Sequence, residues 1–233
     1  MFKKTTIATV FNADMYNKLF FVGDLHGERE LLESELDKIG FDKEHDLLVG
    51  VGDLIDRGTD SLWTLELINE PWFKSVRGNH EQMAIDAVCD LGYDHRERGN
   101  RKGHWMNEGG IWFWQLAPEQ RAFAKRLINQ CQQLPLILEL HRHGKKIVVC
   151  HADYPLNEYV TSQPVPEINI LCSRKRIRAI RGGDNESIII NGADLFVFGH
   201  TSLRKPLIIG NICYIDTGAV FSNKLTIIEA SAI

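Results

Sequence analysis

One pattern constrains this chain more than any other: short apolar runs that stop abruptly at Gly, Asp, Asn or His. Leu19 to Val22 runs into Gly23-Asp24, Leu47 to Val51 into Gly52-Asp53, and Lys74 to Val76 into Arg77-Gly78-Asn79. Ile147 to Cys150 then runs into His151, and Leu195 to Phe198 into Gly199-His200. Short, nearly continuous apolar runs cut off by turn formers are the signature of strands buried on both faces and feeding a loop. Between the first three, Glu28 to Ile39 carries Leu31, Leu32, Leu36 and Ile39 on one helical face, and Ser61 to Asn69 carries Leu62, Leu65 and Ile68. Strand and helix alternate. The order therefore predicts a layered α/β fold with central β-sheets flanked by helices and ligands held beyond the carboxyl ends of the strands.

The second half reads differently. Leu134 to Leu140 and Lys145 to Cys150 flank Gly144, and Leu207 to Ile209, Ile212 to Ile215 and Lys224 to Ile228 flank Gly210-Asn211 and Ser222-Asn223, a pattern that predicts antiparallel hairpins. Glu119 to Gln132 reads as a helix entered through Pro118, and Trp105, Trp112 and Trp114 mark a helical packing region. No repeat, low-complexity tract or linker divides the chain, so residues 19–233 read as one catalytic domain. Residues 1–18 read as an N-terminal extension, either mobile or adding an edge strand over Thr5 to Phe11.

Bulk composition excludes more than it assigns. At 233 residues the chain buries enough surface to fold without metal or disulfide, so a bound metal would serve chemistry. Twenty-seven basic against 31 acidic side chains give a net charge of −4 without long charge runs, which argues against nucleic acid or a membrane surface as partner. No stretch reaches the roughly 20 apolar residues of a membrane span, and no secretion signal opens the chain. Five cysteines, Cys89, Cys131, Cys150, Cys172 and Cys213, lack any Cys-x-x-Cys pair and fit a reduced, cytoplasmic protein.

Each of the five strand ends delivers a candidate metal ligand: Asp24 with His26, Asp53, Asn79, His151 and His200. Oxygen and imidazole donors without thiolate suit manganese, iron or zinc better than calcium, and six donors exceed one tetrahedral site. Two divalent metal ions are the natural count, bridged by a carboxylate such as Asp53. Gly23, Gly27, Gly52, Gly58 and Gly78 would let the backbone turn sharply beside them. His80 has the pKa range to protonate an alkoxide leaving group, and Asp56 would orient it. Arg57 supplies a guanidinium fork for phosphate oxygens, and Arg174, Arg176 or Arg178 a second. His45, His95, His104, His141 and His143 lie in polar stretches and read as surface residues.

Gly23-Asp24-Leu25-His26-Gly27, Gly52-Asp53-Leu54-Ile55-Asp56-Arg57-Gly58, Gly78-Asn79-His80-Glu81, His151-Ala152-Asp153 and Gly199-His200-Thr201 together resemble the signature set of PPP-type metallophosphoesterases. His151 to Pro155 and Asp216 to Phe221 are similar to the phage lambda and bacterial serine/threonine phosphatase branch. The resemblance implies a metallophosphoesterase-type α/β fold and hydrolysis of phosphomonoesters on proteins by water activated at a dimetal site. It further implies Asp24, His26 and Asp53 on one metal, Asp53, Asn79, His151 and His200 on the other, His80 as general acid with Asp56, and Arg57 and Arg174 on phosphate. The expected partner is a phosphoprotein or phosphopeptide, and the expected state a monomer.

Three departures from that pattern stand out. Cys172 occupies a position where the phage-type pattern has tryptophan, which leaves Arg174, Arg176 and Arg178 as alternatives. The stretch from Asp90 to Gly103 reads as a long charged loop whose Arg96, Arg98, Arg101 and Lys102 either recognise acidic phosphopeptides or are simply solvated. Residues 1–18 carry no motif of the set. Cys150 should point into the core, while Cys172, near the arginines, invites a redox role. Two other functions compete: hydrolysis of bis-nucleosyl polyphosphates, against which Asp56 argues, and a non-catalytic phosphoprotein-binding module, which would have lost a ligand or the acid.

Overall fold

The computed structural model describes residues 5–184 and 188–233; the first four residues of the N-terminal extension lie outside them. Thr5–Thr6 (β1) pairs with Val165–Pro166 (β8), and Thr9–Asn12 (β2) lies parallel to Ile137–Arg142 (β6) at the edge of a six-stranded sheet. That sheet continues through Lys145–Cys150 (β7), Leu195–Phe198 (β9), Ile212–Tyr214 (β11) and Leu207–Ile209 (β10). A four-stranded sheet holds Leu19–Val22 (β3), Leu47–Gly50 (β4) and Phe73–Ser75 (β5) in parallel, with Ile227–Glu229 (β12) antiparallel to β3.

Alternation along the strands explains the layers. Leu19 and Phe21 of β3 and Leu47 and Val49 of β4 face Leu138, Ile147, Val149 and Val197 of the larger sheet, so the two sheets pack face to face. The intervening Phe20, Val22 and Leu48 point the other way, onto Arg29–Lys38 (α1), Ser61–Leu65 (α2), Asn79–Val88 (α3) and Pro118–Gln130 (α6), through Leu32, Leu36, Leu62, Ala84 and Leu127. Behind the larger sheet, Val148, Cys150, Phe196 and Tyr214 pack on Glu167–Cys172 (α7) and Lys175–Arg181 (α8). Both sheets are thus covered on both faces, which is why their strands read as continuous apolar runs.

Two elements depart from the sequence expectation. Lys224 to Ile228 forms no hairpin with the preceding strand: Ala219–Ser222 turns into a short helix (α9), and β12 crosses to the other sheet to pair with β3. The hairpins β6–β7 and β10–β11 do form. The stretch from Asp90 to Gly103 is largely helix rather than loop, since His95–Trp105 (α4) runs through it. It passes through a π-turn at Met106–Gly110 into Trp112–Gln115 (α5), so the tryptophan region is helical as expected.

Candidate active site

The strands converge at their carboxyl ends, and the loops leaving them are bent in an unusual way. Of the seven non-glycine residues with left-handed φ among the described residues, five are His26, Asp53, Asp56, Arg57 and His200. Backbone in that region is strained for a side-chain-bearing residue and persists only when its surroundings fix it. For the loop that starts at Asp53 the fixing group is Glu81 at the start of α3. It is fully buried, and its carboxylate accepts from the backbone N–H groups of Asp53 (2.9 Å), Leu54 (2.8 Å) and Gly78 (2.8 Å). Gly52 and Gly78 allow those two loops to touch: a Cβ on Gly52 would fall 2.6 Å from Gly78 N, and one on Gly78 would fall 2.2 Å from an Asp53 oxygen. In sequence Glu81 stood only as the last residue of the Gly78-Asn79-His80-Glu81 run; the structure makes it the third residue of α3, where an acidic group binding backbone N–H is favourable.

Six predicted ligands meet here. His26, Asp53 and His80 bring ligand atoms within 4.8 Å of one another, as do Asp53, His151 and His200, so Asp53 is common to both groups. Asn79 Oδ1 lies 2.9 Å from His151 Nε2. Asp24 accepts from the His200 backbone N–H at 3.1 Å, and His80 rather than Asp24 completes the tighter group around His26. His26 and His151 each turn Nδ1 to a backbone carbonyl, of Ile55 at 2.9 Å and Val51 at 2.7 Å, leaving Nε2 facing the cluster. Burial pushes His26 down to about 4 and His200 down to about 3, the neutral state that ligates metal.

The carboxylates crowd charge that divalent cations would balance. Burial and repulsion from Asp216 and Asp53 push Asp24 well above the carboxylate range. Burial opposes the charge of Asp53 too, but His151 and His80 hold its pKa well below that range. His200 Nε2 is buried without a hydrogen-bond partner. Crowded acidic oxygens, an orphaned imidazole nitrogen and no thiolate fit divalent cations of the manganese, iron or zinc type.

Beside this cluster sits a second arrangement. His80 Nδ1 is 2.7 Å from Asp56 Oδ2, and Asp56 is fully buried. Trp105 Nε1 donates to the same oxygen at 2.8 Å, and Trp112 Nε1 to Oδ1 at 2.7 Å. Burial disfavours the charged imidazole, yet Asp53 and Asp56 together raise the His80 pKa above its ordinary value. The two indoles were read in sequence as packing residues; an indole N–H, which must find an acceptor when buried, was the available signal.

With this geometry in place, comparison with known proteins is decisive. A family model described as calcineurin-like phosphoesterase matches residues 18–203. The chain belongs to that family. It is 42% identical over 227 residues to serine/threonine-protein phosphatase 1 of Salmonella typhimurium, covering 97% of this chain and 98% of the relative. It is 39% identical over 215 residues to serine/threonine-protein phosphatase 2 of Escherichia coli, covering 92% and 94%. A crystal structure of a presumed diadenosine tetraphosphatase, 21% identical, shares the fold with a TM-score of 0.60 over 97% of this chain and 95% of that one.

Calcineurin-like phosphoesterases use a dinuclear metal site, and the cluster of Asp53, Asn79, His80 and His200 opens here on a cleft of about 400 Å³. Arg57, Arg174, His104, Glu108 and Cys172 all line it. Arg57 Nη1 is 2.6 Å from His26 Nε2, its Nη2 is 3.9 Å from Glu108, and its guanidinium lies 5.7 Å from the Phe221 ring centroid. Arg176 is buried against Asp153 (3.1 Å) and the carbonyls of Tyr154 and Leu156, while exposed Arg178 does not line the cleft. Of the three alternatives, only Arg174 faces the site.

The remaining polar residues divide similarly. His45, His95, His141 and His143 are exposed; His104 is exposed as well, but on the cleft. None of Arg96, Arg98, Arg101 and Lys102 on α4 lines the cleft, and three are engaged elsewhere. Arg98 bonds Asp90, Arg101 bonds Asp86 and Glu97, and Lys102 lies over the Trp114 ring. Cys150 is fully buried in the core, as strand alternation requires, and Cys172 is exposed. No helix among the described residues is long and apolar enough to cross a membrane.

Proposed function

We propose that this chain is a cytoplasmic, monomeric serine/threonine-protein phosphatase, with residues 19–233 as the catalytic domain and 1–18 lending an edge strand. The observation that carries the reading is the buried His80–Asp56 pair, tied by two indoles and set directly beside the ligand cluster. Asp24, His26 and Asp53 would hold one divalent cation and Asp53, Asn79, His151 and His200 the other, with manganese favoured at both. When bound, such ions polarise phosphoryl oxygens and acidify water for in-line attack on phosphorus.

The chain's own groups do the rest. Arg57 leaves His26 to grip the phosphoryl oxygens, and Arg174 closes on them from α8's edge, giving directional charge to a dianion. His80, protonated at Nε2, delivers a proton to the departing seryl or threonyl oxygen. Asp56 holds Nδ1–H, so the ring cannot rotate away. Trp105 and Trp112 satisfy the Asp56 oxygens and keep its carboxylate in place. Glu81 acts at one remove, fixing the strained loops that present Asp53, Asp56 and Arg57.

The test compares turnover of a phosphoserine peptide, an aryl phosphate and diadenosine tetraphosphate, with and without added manganese. Manganese-dependent hydrolysis of the peptide, with little of the dinucleotide, is expected. Preference for diadenosine tetraphosphate would replace this reading with hydrolysis of bis-nucleosyl polyphosphates, and phosphopeptide binding without turnover would make the chain a binding module.

A further inference from the structure

The segment from His95 to Gly110 turns toward the cleft a charge other than the one its sequence offers. Four basic residues on α4, Arg96, Arg98, Arg101 and Lys102, turn out not to line it. What reaches it from the same segment is His104, near the end of the helix, and a carboxylate, Glu108, in the turn that follows.

That turn is built against the phosphate-binding loop. Gly109 takes φ 114°, and a Cβ there would lie 2.9 Å from Arg57 N and 3.0 Å from Arg57 Cγ, so this backbone rests directly on Asp56-Arg57. The helical path is broken at Gly109, and helix irregularities of this kind are frequent at functional sites. Here the result is Glu108 Oε2 at 3.9 Å from Arg57 Nη2, with the Glu108 side chain 45% exposed to solvent. Asp86, the other acid on this wall, has both oxygens engaged by Arg101, Gln82 and Tyr93. Among the described residues, Glu108 has Arg57 alone.

We propose that Glu108 is a specificity residue that selects phosphopeptides with a cationic side chain next to the phosphorylated residue. The inference rests on the protein-phosphatase reading above. While the cleft lacks phosphate, Glu108 pairs with Arg57. A substrate phosphoryl group takes the guanidinium for itself, since a bidentate contact to a dianion is stronger than an exposed ion pair. Glu108 is then left at the rim without its cation. A lysine or arginine beside the phosphorylated residue replaces what was lost, whereas an acidic neighbour meets a second carboxylate. Discrimination therefore comes from repulsion as much as from attraction.

The experiment uses two phosphoserine peptides, identical except for lysines or glutamates on both sides of the phosphoserine, with an aryl phosphate as reference. For the manganese-loaded wild-type chain, kcat/KM should favour the lysine peptide by about two- to fivefold at low salt, the range of one exposed ion pair, and the ratio should shrink as salt rises. Glu108→Gln should bring the ratio to about one and tighten inhibition by inorganic phosphate, and Glu108→Lys should invert the preference. Equal rates on both peptides in the wild type, or a lysine preference that survives Glu108→Gln, overturns the assignment while leaving the phosphatase reading intact. Hydrolysis of the aryl phosphate with neither peptide turned over would defeat the phosphatase reading, and this inference with it.

Discussion

The strand-end loops and the helical segment from His95 to Gln115 both build the cleft, but they do so by different physics. The loops place ligands through backbone: short, strained turns, glycines at points of contact, and Glu81 holding three N–H groups. The helical segment contributes through side chains that arrive from across the fold, Trp105 and Trp112 onto Asp56 and Glu108 toward Arg57. Residues of the first kind are held through main-chain conformation and main-chain hydrogen bonds, and those of the second through side-chain packing. Substitutions in the two regions should therefore differ in what they abolish.

The largest effect is expected in the loops. Asp53→Asn should reduce activity to background and lose both metals with the fold retained, because Asp53 is common to both donor groups and the core is independent of metal. Elemental analysis finding two ions per chain in this variant would refute the shared role. Next comes His80→Asn, which should slow phosphoserine hydrolysis about 10²–10⁴-fold and aryl phosphate hydrolysis far less, because a phenolate leaves without a proton. Equal losses on the two substrates would mean that His80 holds the site together rather than donating the proton.

Asp56 then joins the two regions. Since Asp53 and Asp56 raise the His80 pKa against burial, Asp56→Asn should lower it. The acid form then disappears at a lower pH, so the alkaline limb of the phosphoserine rate profile should move toward neutrality; an unmoved limb counts against the assignment. Trp112→Phe removes one of two indole bonds to that carboxylate and should cost about tenfold on phosphoserine, the scale of a hydrogen bond to a charged group. A purely packing role for Trp112 would lower stability to urea and leave the substrate ratio unchanged. Smallest of all, Arg98→Ala breaks an exposed ion pair with Asp90 and should change stability by no more than about 0.5 kcal/mol in urea unfolding, with activity unaltered.

The same division governs what the sequence alone could reveal. Asp24, Asp53, Asn79, His151 and His200 were legible because each terminates an apolar strand, and a parallel sheet brings such ends together. The α4 helix was not, because two glycines, Gly99 and Gly103, interrupt its eleven mostly polar residues and only Trp105 is buried, so no apolar face marks it. A cue was present in Asp94, whose carboxylate caps the helix by accepting from Glu97 N–H at 2.8 Å. The path of Lys224 to Ile228 was hidden for another reason. Its partner β3 lies at the opposite end of the chain, and strand pairing across such a separation leaves no local spacing to read. Arg174 separated from Arg176 only when burial showed that the latter is consumed by Asp153 and main-chain carbonyls.

The five left-handed residues at the strand ends also set terms for the evolution of this chain. At each, glycine would relax the backbone, and each strained residue costs on the order of 1–3 kcal/mol in conformational energy. Selection for heat tolerance alone would therefore press His26, Asp53, Asp56, Arg57 and His200 toward glycine, one accessible step at a time. Every such step would erase a group that the chemistry uses. Durability and turnover thus draw on the same five positions in opposite directions, and a hardier descendant of this protein has to find its stability elsewhere, in the helices and sheet faces far from the cleft.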